Sequence, residues 1–330
     1  MAQVPGAVAA MKRWRAAGLL GALAVLLLSL VAGQGVAAQE CGPEGVALQV
    51  LGSGGPIADD GRASAGYLIW HDGRARVLVD IGGGVFLRFG EAGARLQDLD
   101  LLALTHAHTD HAADLPALLK GGYFSSRRRA LAVSGPDGNR LMPGVEGFLE
   151  AMFAAGDGAF RYLSGFMTGT DGLFALDPIT VPAAASEPTE VWRDGSMTVR
   201  AVGVHHGPIP TLGYGFELGG RRIVISGDQN LGTPYLAPLA AGADVLVMPM
   251  GIPEAASSVA RNLHAVPSAI GRFAAAAGPR RLVLSHLMAR SLRDLEGQLE
   301  RVREHYDGPL TVAEDLAVHP PRHRRGLMGV

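Results

Sequence analysis

Thr105-His106-Ala107-His108-Thr109-Asp110-His111 places three imidazoles and one carboxylate within six residues, directly after the hydrophobic run 99–104. The apolar run predicts a buried strand. The loop after it would project His106 and His108 to one side, with Asp110 and His111 at a neighbouring point. Neutral imidazole and carboxylate suit zinc, and also iron or manganese. The stretch therefore predicts a cradle for two divalent metal ions that activate a water molecule between them.

Short β runs, glycine turns and helices surround this stretch on both sides, and no internal repeat is visible. Apolar runs bounded by turn residues predict strands over 46–51, 66–70, 76–81, 99–104, 198–204, 213–218, 222–225, 245–248 and 282–285. Helical periodicity predicts helices over 112–119, 267–277 and 292–305. Residues 138–188 are rich in Gly with scattered Phe and Tyr, and we expect them to form an insertion. The predicted fold class is α/β.

Composition excludes several classes of protein. The chain has 330 residues, 48% of them hydrophobic, which excludes a disordered polypeptide. Six of the 29 basic residues lie outside residues 39–318, which leaves 23 against 31 acidic residues and a net charge of −8 in that body. An acidic body is a poor match for long polynucleotides. A single cysteine, Cys41, excludes an internal disulfide and a cysteine-based zinc site.

The two ends of the chain are basic. Lys12, Arg13 and Arg15 precede an uncharged run that closes on Val36-Ala37-Ala38, which is the pattern of a secretory signal. We predict a signal peptide over 1–38, with export to the periplasm or the medium. The alternative is an uncleaved membrane anchor, because the 18-residue run 16–33 is at the lower limit for a spanning helix. Residues 319–330 are predicted to be a basic disordered tail.

His106-x-His108-x-Asp110-His111 resembles the signature of the metallo-β-lactamase superfamily. Three later segments follow in the order of that family's remaining ligands: His205-His206-Gly207-Pro208, Ser226-Gly227-Asp228 and Leu284-Ser285-His286. The resemblance implies an αββα sandwich over 39–318, with two β-sheets face to face and helices outside. It also implies the metal ligands, which are His106, His108 and His206 for the first ion, Asp110, His111 and His286 for the second, and Asp228 for both.

Two assignments stay open at this point. His205 and His206 are adjacent, and the resemblance favours His206 because that residue precedes Gly207-Pro208, as in the family's His-Gly-Pro variants. Asp80 fits the family's Asp-x-Gly at a strand end, where the carboxylate orients a ligand imidazole. A turn-capping aspartate explains the local sequence of Asp80 equally well.

Leu51-Gly52-Ser53-Gly54-Gly55-Pro56 is similar to the opening turn of the ribonuclease Z and arylsulfatase-like phosphodiesterase branch. The evidence that this segment is a phosphate loop is weak, because it lacks the full nucleotide-binding fingerprint. We expect it to form a tight turn between strands. His264 matches a histidine of the branch that approaches the site without being a tight ligand; the alternative is a solvent-facing residue at a helix entry. The basic arm of ribonuclease Z is missing, because residues 156–190 contain one Arg and no Lys.

These residues predict a dinuclear metal-dependent hydrolase, in which a metal-bound hydroxide attacks a small ester, with a phosphodiester favoured. Asp110 and His264 are the expected catalytic residues, and His264 would steady the anion or protonate the leaving group. The expected cofactors are two zinc ions, with manganese or iron as alternatives. An arylsulfatase or another ester, lactone or β-lactam hydrolase is the runner-up, ahead of a ribonuclease Z or a non-catalytic binding protein. We do not expect a nucleic-acid partner, expect membrane contact only through an uncleaved N-terminal segment, and leave a homodimer open.

Overall fold

Two seven-stranded β-sheets form the centre of the protein in a computed structural model that describes residues 45–321. The first sheet contains β1 (Val46–Gly52), β2 (Gly66–His71), β3 (Arg74–Val79), β4 (Leu101–Ala103), β5 (Leu131–Pro136), β6 (Leu176–Val181) and β14 (Val318–His319), in the order β14-β1-β2-β3-β4-β5-β6. The second contains β7 (Thr189–Arg193), β8 (Met197–His206), β9 (Ile209–Leu218), β10 (Arg221–Ile225), β11 (Val245–Pro249), β12 (Leu282–Ser285) and β13 (Leu310–Val312), in the order β13-β12-β11-β10-β9-β8-β7.

Helices cover the outer face of each sheet. Those on the first sheet are α1 (Val85–Glu91), α2 (Thr109–Ala112), α3 (Leu115–Gly122), α4 (Val145–Phe153) and α5 (Gly165–Thr168), with short 3-10 turns at Leu96–Asp98 and Arg161–Leu163. Those in the second half are α6 (Ala237–Ala240), α7 (Ser258–Leu263), α8 (Pro267–Ala277), α9 (Ala289–Leu292) and α10 (Leu295–Arg303). One apolar core lies between the sheets and one lies under each helical layer. This arrangement confirms the predicted αββα sandwich.

The two sheets have the same arrangement of strands, which places the candidate metal ligands at one edge. In each sheet an antiparallel part leads into parallel strands, β3 to β6 in the first and β10 to β13 in the second. Four of these strands, β4, β5, β11 and β12, are buried along their whole length, and buried parallel strands carry nearly continuous apolar runs. Because parallel strands end at the same edge, the loops after them come together there.

Residues 138–188, which we predicted to form an insertion, pack as part of the first layer. Strand β6 pairs with β5 along six residues. Leu149, Phe153 and Phe166 are fully buried in the core under the first helical layer. The segment escaped recognition because β6 is a partly exposed edge strand with Asp177 and Pro178 in it, so its sequence lacks an apolar run.

The predicted C-terminal tail starts too early. Val318 and His319 form β14, which pairs with β1, and His319 is buried. The catalytic domain therefore continues past residue 318. The rest of the predicted tail from residue 322, and the predicted signal segment 1–38, lie outside the described residues. Within 45–321, no helix has the length and hydropathy needed to cross a membrane.

Candidate metal centre

Six histidines and two aspartates meet at the edge where the strands of both sheets end. The loop after β4 and helix α2 supply His106, His108, Asp110 and His111. The second half supplies His206 at the end of β8, Asp228 after β10, His264 after α7 and His286 after β12. All are buried except His108, which is partly exposed.

Four groups of three side chains among the described residues could hold a metal ion, and two of them match the sets that the resemblance implied. In one group His106, His108 and His206 can each offer a ligand atom, and these atoms lie within 4.8 Å of one another. In the other, Asp110, His111 and His286 meet the same limit. The structure thus brings together the two sets of three that the family resemblance implied.

The carboxylate of Asp228 lies between these groups. Its Oδ2 is 3.2 Å from Nε2 of His286 and 3.5 Å from Nε2 of His111 on one side. On the other side, the same oxygen is 3.8 Å from Nε2 of His206. One aspartate therefore reaches members of both groups, as a bridging ligand must.

Hydrogen bonds on the far side of two rings fix their orientation. Nδ1 of His111 donates to Oδ2 of Asp80 at 2.8 Å, which confirms the contact that the resemblance implied for Asp80. Nδ1 of His206 donates to the backbone carbonyl of Leu263 at 2.7 Å. With Nδ1 protonated in this way, Nε2 of each ring carries a lone pair that points into the site.

Electrostatics favour the metal-binding form of Asp228, His106 and His206, whereas His111 has to lose a proton before its Nε2 can bind a metal ion. Burial lowers the pKa of His106 well below its usual range, and burial also lowers the pKa of His206. For His111, burial acts in the same direction, but the carboxylates of Asp80 and Asp228 outweigh it and raise the pKa. Burial acts to raise the pKa of Asp228, yet His286 and His111 outweigh it and hold this pKa well below its usual range. The carboxylate is therefore ionised, and His106 and His206 are neutral.

Glycines give the His286 ring its space. A Cβ atom at Gly55 would lie 2.8 Å from Cε1 of His286, and one at Gly251 would lie 3.1 Å from its Nδ1. His286 itself has a left-handed backbone, with φ of 54°. The glycine-rich turn 52–55 thus serves the close approach of backbone to a site residue, and it is not a phosphate loop.

The two adjacent histidines of β8 point in different directions. His206 joins the cluster, whereas Nδ1 of His205 lies 3.1 Å from Oδ1 of Asn230, away from either group of three. Alternation along a strand explains the difference, because neighbouring side chains face opposite sides.

His264 is buried beside the cluster, so the alternative of a solvent-facing residue is wrong. Its Nδ1 lies 3.9 Å from Oδ2 of Asp228 and has no hydrogen-bond partner. Burial lowers the pKa of His264 to about 4. The sequence suggested an imidazole protonated near neutral pH; in this environment the ring is neutral and its N–H can donate a hydrogen bond to an anion.

Comparison with known proteins agrees with the geometry. The sequence profile of the Beta-lactamase superfamily domain matches residues 75–287. The chain belongs to the metallo-β-lactamase superfamily. It is 29% identical over 291 residues to Ribonuclease Z of Mycobacterium bovis (strain BCG / Pasteur 1173P2), which covers 83% of this chain and 99% of that protein. It is 34% identical over 207 residues to Ribonuclease Z of Mycobacterium sp. (strain KMS), which covers 61% of this chain and 67% of that protein.

A solved structure shows the same fold. The crystal structure of human tRNase Z, short form, superposes with a TM-score of 0.64 at 20% identity, over 84% of this chain and all of that one. The relatives are hydrolases, and this chain is a hydrolase of the metallo-β-lactamase superfamily.

The residues of this superfamily hydrolase fit divalent metal ions. Nε2 of His111 and Nε2 of His206 are buried and have no hydrogen-bond partner, although both point into the cluster. A buried nitrogen without a partner costs about 1–3 kcal/mol, and a metal ion would remove that cost. Imidazole and carboxylate together suit zinc, manganese or iron.

Three supporting residues did not emerge from the sequence. Thr105 donates through its backbone N–H to Oδ1 of Asp80 at 2.7 Å, and its hydroxyl donates to Oδ2 at 2.9 Å. Thr105 directly precedes the histidine motif, so its position was a usable signal. Leu263 and Gly251 give no such signal. Leu263 acts through its backbone carbonyl, and Gly251 acts through its lack of a side chain.

Proposed function

We propose that this hydrolase is a dinuclear metal-dependent phosphodiesterase that acts on a small phosphodiester. The observation that carries the proposal is the pair of three-residue groups, each within 4.8 Å, with the Asp228 carboxylate between them. Sites of this kind bind two ions a few ångströms apart and stabilise both the attacking and the leaving oxygen of a phosphoryl transfer.

Two divalent cations, zinc first and manganese or iron as alternatives, would supply an activated water and positive charge when bound. Asp110 and His264 have separate roles beside the metal ions. Burial acts to raise the pKa of Asp110, but hydrogen bonds from His111 and His286 outweigh it and hold this pKa well below its usual range. The carboxylate is therefore ionised and can hold a metal ion or accept a hydrogen bond from a bound water. His264 can donate its N–H to an anionic oxygen of the substrate, beside Asp228.

A phosphodiester is favoured over other esters by the relatives, since a ribonuclease breaks a phosphodiester bond. A small substrate is favoured by two features of this chain. The body has a net charge of −8, and residues 138–188 fold into the first layer instead of projecting as a basic arm. An RNA precursor is the second candidate, because the relatives carry the name Ribonuclease Z. An aryl sulfate follows, because the same charge arrangement serves a sulfur centre.

The test is a substrate panel on metal-loaded protein with two adjacent variants. The panel holds bis-(nitrophenyl) phosphate, nitrophenyl sulfate, a lactone, a cephalosporin and a transfer-RNA precursor. His206→Ala removes a proposed ligand, and His205→Ala is the matched control one residue away. We expect turnover of the phosphodiester above all others, its loss in His206→Ala and its retention in His205→Ala, with about two metal ions bound to the unaltered protein.

Three results would count against the proposal. Less than one equivalent of bound metal without activation by added zinc or manganese would remove the metal mechanism. Turnover that survives His206→Ala would remove the proposed ligand set. A preference for the RNA precursor over the small diester would favour the second candidate.

A further inference from the structure

A second pocket lies in the first layer, away from the metal centre. It has a volume of about 440 Å³, within the usual range of about 300–1,000 Å³ for small-molecule sites. Loop 122–128 forms one side and segment 161–173 forms the other. Its lining includes Tyr123, Arg127, Arg128, Arg161, Tyr162 and Ser164.

The pocket is at the opposite edge of the sheet from the histidines. It lies between the end of α3 and the start of β5, and Arg127 donates to the carbonyl of Leu99, which precedes β4. The histidine motif follows the far end of β4, which runs parallel to β5.

The pocket has a net positive charge, because its lining contains three arginines and one acidic residue, Asp171. Arg128 and Arg161 form no ion pair with any residue of 45–321. Arg127 is buried, and its guanidinium donates only to the backbone carbonyls of Leu96, Leu99 and Ala130. Burial, and then the charge of Arg129, lower the pKa of Arg127 to about 10, so it remains a cation at neutral pH.

Two exposed aromatic rings line the same pocket. Tyr162 is 58% exposed and Tyr123 is 40% exposed. The Tyr123 hydroxyl donates to the Tyr162 carbonyl at 2.8 Å and holds the two segments together. The ammonium group of Lys120 lies 4.8 Å from the Tyr123 ring centre and 5.7 Å from that of Tyr162, which adds further positive charge.

We propose that this pocket binds a small ligand that joins a phosphate group to a planar ring, as a nucleotide does. Planar guanidinium groups pair with phosphate oxygens through two parallel hydrogen bonds. Tyrosine rings stack on a planar heterocycle. The hydroxyl of Ser164, on the segment opposite the arginines, is available to a sugar or phosphate oxygen.

The experiment is a calorimetric titration of metal-loaded protein with ADP, inorganic phosphate and adenosine. We expect ADP to bind more tightly than either of its parts. Arg128→Ala/Arg161→Ala should raise the Kd for ADP about ten- to hundredfold, because each charged hydrogen bond is strong. Tyr162→Ala should weaken ADP a few-fold and leave phosphate unchanged. Arg74→Ala is the matched control, since Arg74 is exposed at the start of β3 in the same sheet and has no ion pair within 45–321.

His108→Ala separates this pocket from the metal centre, where a phosphate could also bind. Retention of ADP binding in His108→Ala together with its loss in the double arginine variant would support the proposal. The proposal is overturned if ADP does not bind, if the arginine substitutions leave its Kd unchanged, or if binding disappears in His108→Ala. Binding of a single-stranded oligonucleotide through the same arginines, without ADP binding, would also overturn it. None of these outcomes depends on which ester the metal centre hydrolyses.

Discussion

The two halves of the molecule contribute to the metal centre in different ways. The first half supplies four candidate ligands from one loop and the short helix after it, between His106 and His111. The second half supplies His206, Asp228, His264 and His286 from four separate loops that span 80 residues. The first set is placed by local backbone geometry. The second set depends on the order and register of strands that are far apart in sequence.

The halves also differ in how they orient an imidazole. In the first half a side chain does this, because Asp80 accepts from Nδ1 of His111. In the second half the backbone does it, through the Leu263 carbonyl on His206 and the bare glycine backbone around His286. Substitutions should therefore disturb the first half through lost hydrogen bonds and the second half through displaced backbone.

Asp228→Asn should have the largest effect, because this second-half residue reaches both groups of three. We expect loss of both metal ions and a fall in turnover of at least about 10⁴-fold. His108→Ala touches only one group and should keep about one ion. Metal content by elemental analysis checks the difference. Equal metal loss in the two variants would show that Asp228 does not bridge.

His264→Ala should come next, since the residue lies beside Asp228 and belongs to neither of the two sets that the resemblance implied, although it forms a further group of three with His206 and Asp228. We expect a full metal complement and a loss of about 10²–10⁴-fold in turnover. If His264 only donates a hydrogen bond to the anion, its removal should lower turnover equally for nitrophenyl and alkyl diesters. If His264 transfers a proton to the leaving group, its removal should lower turnover less for nitrophenyl diesters. The burial of His264 favours an equal loss of turnover for the two substrates. Loss of metal from this variant would make it a ligand instead.

Asp80→Asn tests the side-chain support of the first half. It removes the charge that accepts from His111 but keeps the shape, and we expect a loss of about 10–100-fold in metal affinity. Asp177→Asn is the control, because Asp177 is exposed on the edge strand β6. Competition with a chelator measures the affinity. If both variants bind metal with the affinity of the unaltered protein, the Asp80 carboxylate does not strengthen metal binding by His111.

Gly55→Ala tests the backbone support of the second half. The added methyl would lie 2.8 Å from the His286 ring, so we expect the ring to shift and turnover to fall about tenfold. Gly90→Ala in α1 is the control, since nothing lies within 4 Å of a Cβ there. Initial rates on bis-(nitrophenyl) phosphate give the comparison. Unchanged rates in Gly55→Ala would show that the His286 position tolerates contact.

His319 should affect stability and leave turnover at pH 7 unchanged. Burial, and then the charge of Arg281, lower its pKa to about 4. The unfolded chain takes up this proton near pH 6.5 and the folded chain does not until about pH 4, so the free energy of unfolding falls as the pH drops between these values. The full shift is worth at most about 3 kcal/mol. Denaturant unfolding at pH 7.5 and pH 4.5 should show a smaller fall for His319→Gln than for the unaltered protein.

The sequence predicted most of the site because its first half is a local motif. His106, His108, Asp110 and His111 can be read from one stretch, and the resemblance then supplied the order of the later residues. Strands β1 to β4 and β8 to β12 were predicted because buried strands carry continuous apolar runs. The choice of His206 over His205 needed the pairing of β8 with β9, which local sequence does not encode.

Most of the missed strands share a physical cause. The exception is β5, which is buried along all six residues but whose sequence ends in the turn-forming residues Ser134-Gly135-Pro136. Strands β6 and β7 are partly exposed edge strands, and β13 and β14 have three and two residues, too few for a periodic signal. The burial of His264 was also hidden, because helix α7 before it contains no buried residue. Both features are set by tertiary packing against distant segments.

The pairing of β14 with β1 determines when the fold can close. Strand β1 has β2 on one side, but its other side is an open row of backbone donors and acceptors until residues 318–319 arrive. Just before β14, Asp315 binds Ser53 and Ala63, at either end of the loop that carries Gly55 and contacts His286. Strand β1 is synthesised first and β14 last, so one side of β1 stays unpaired until the end of the domain is available. Contacts of such long sequence separation slow folding, and the loop that contacts His286 gains its hydrogen bonds to Asp315 only when they form.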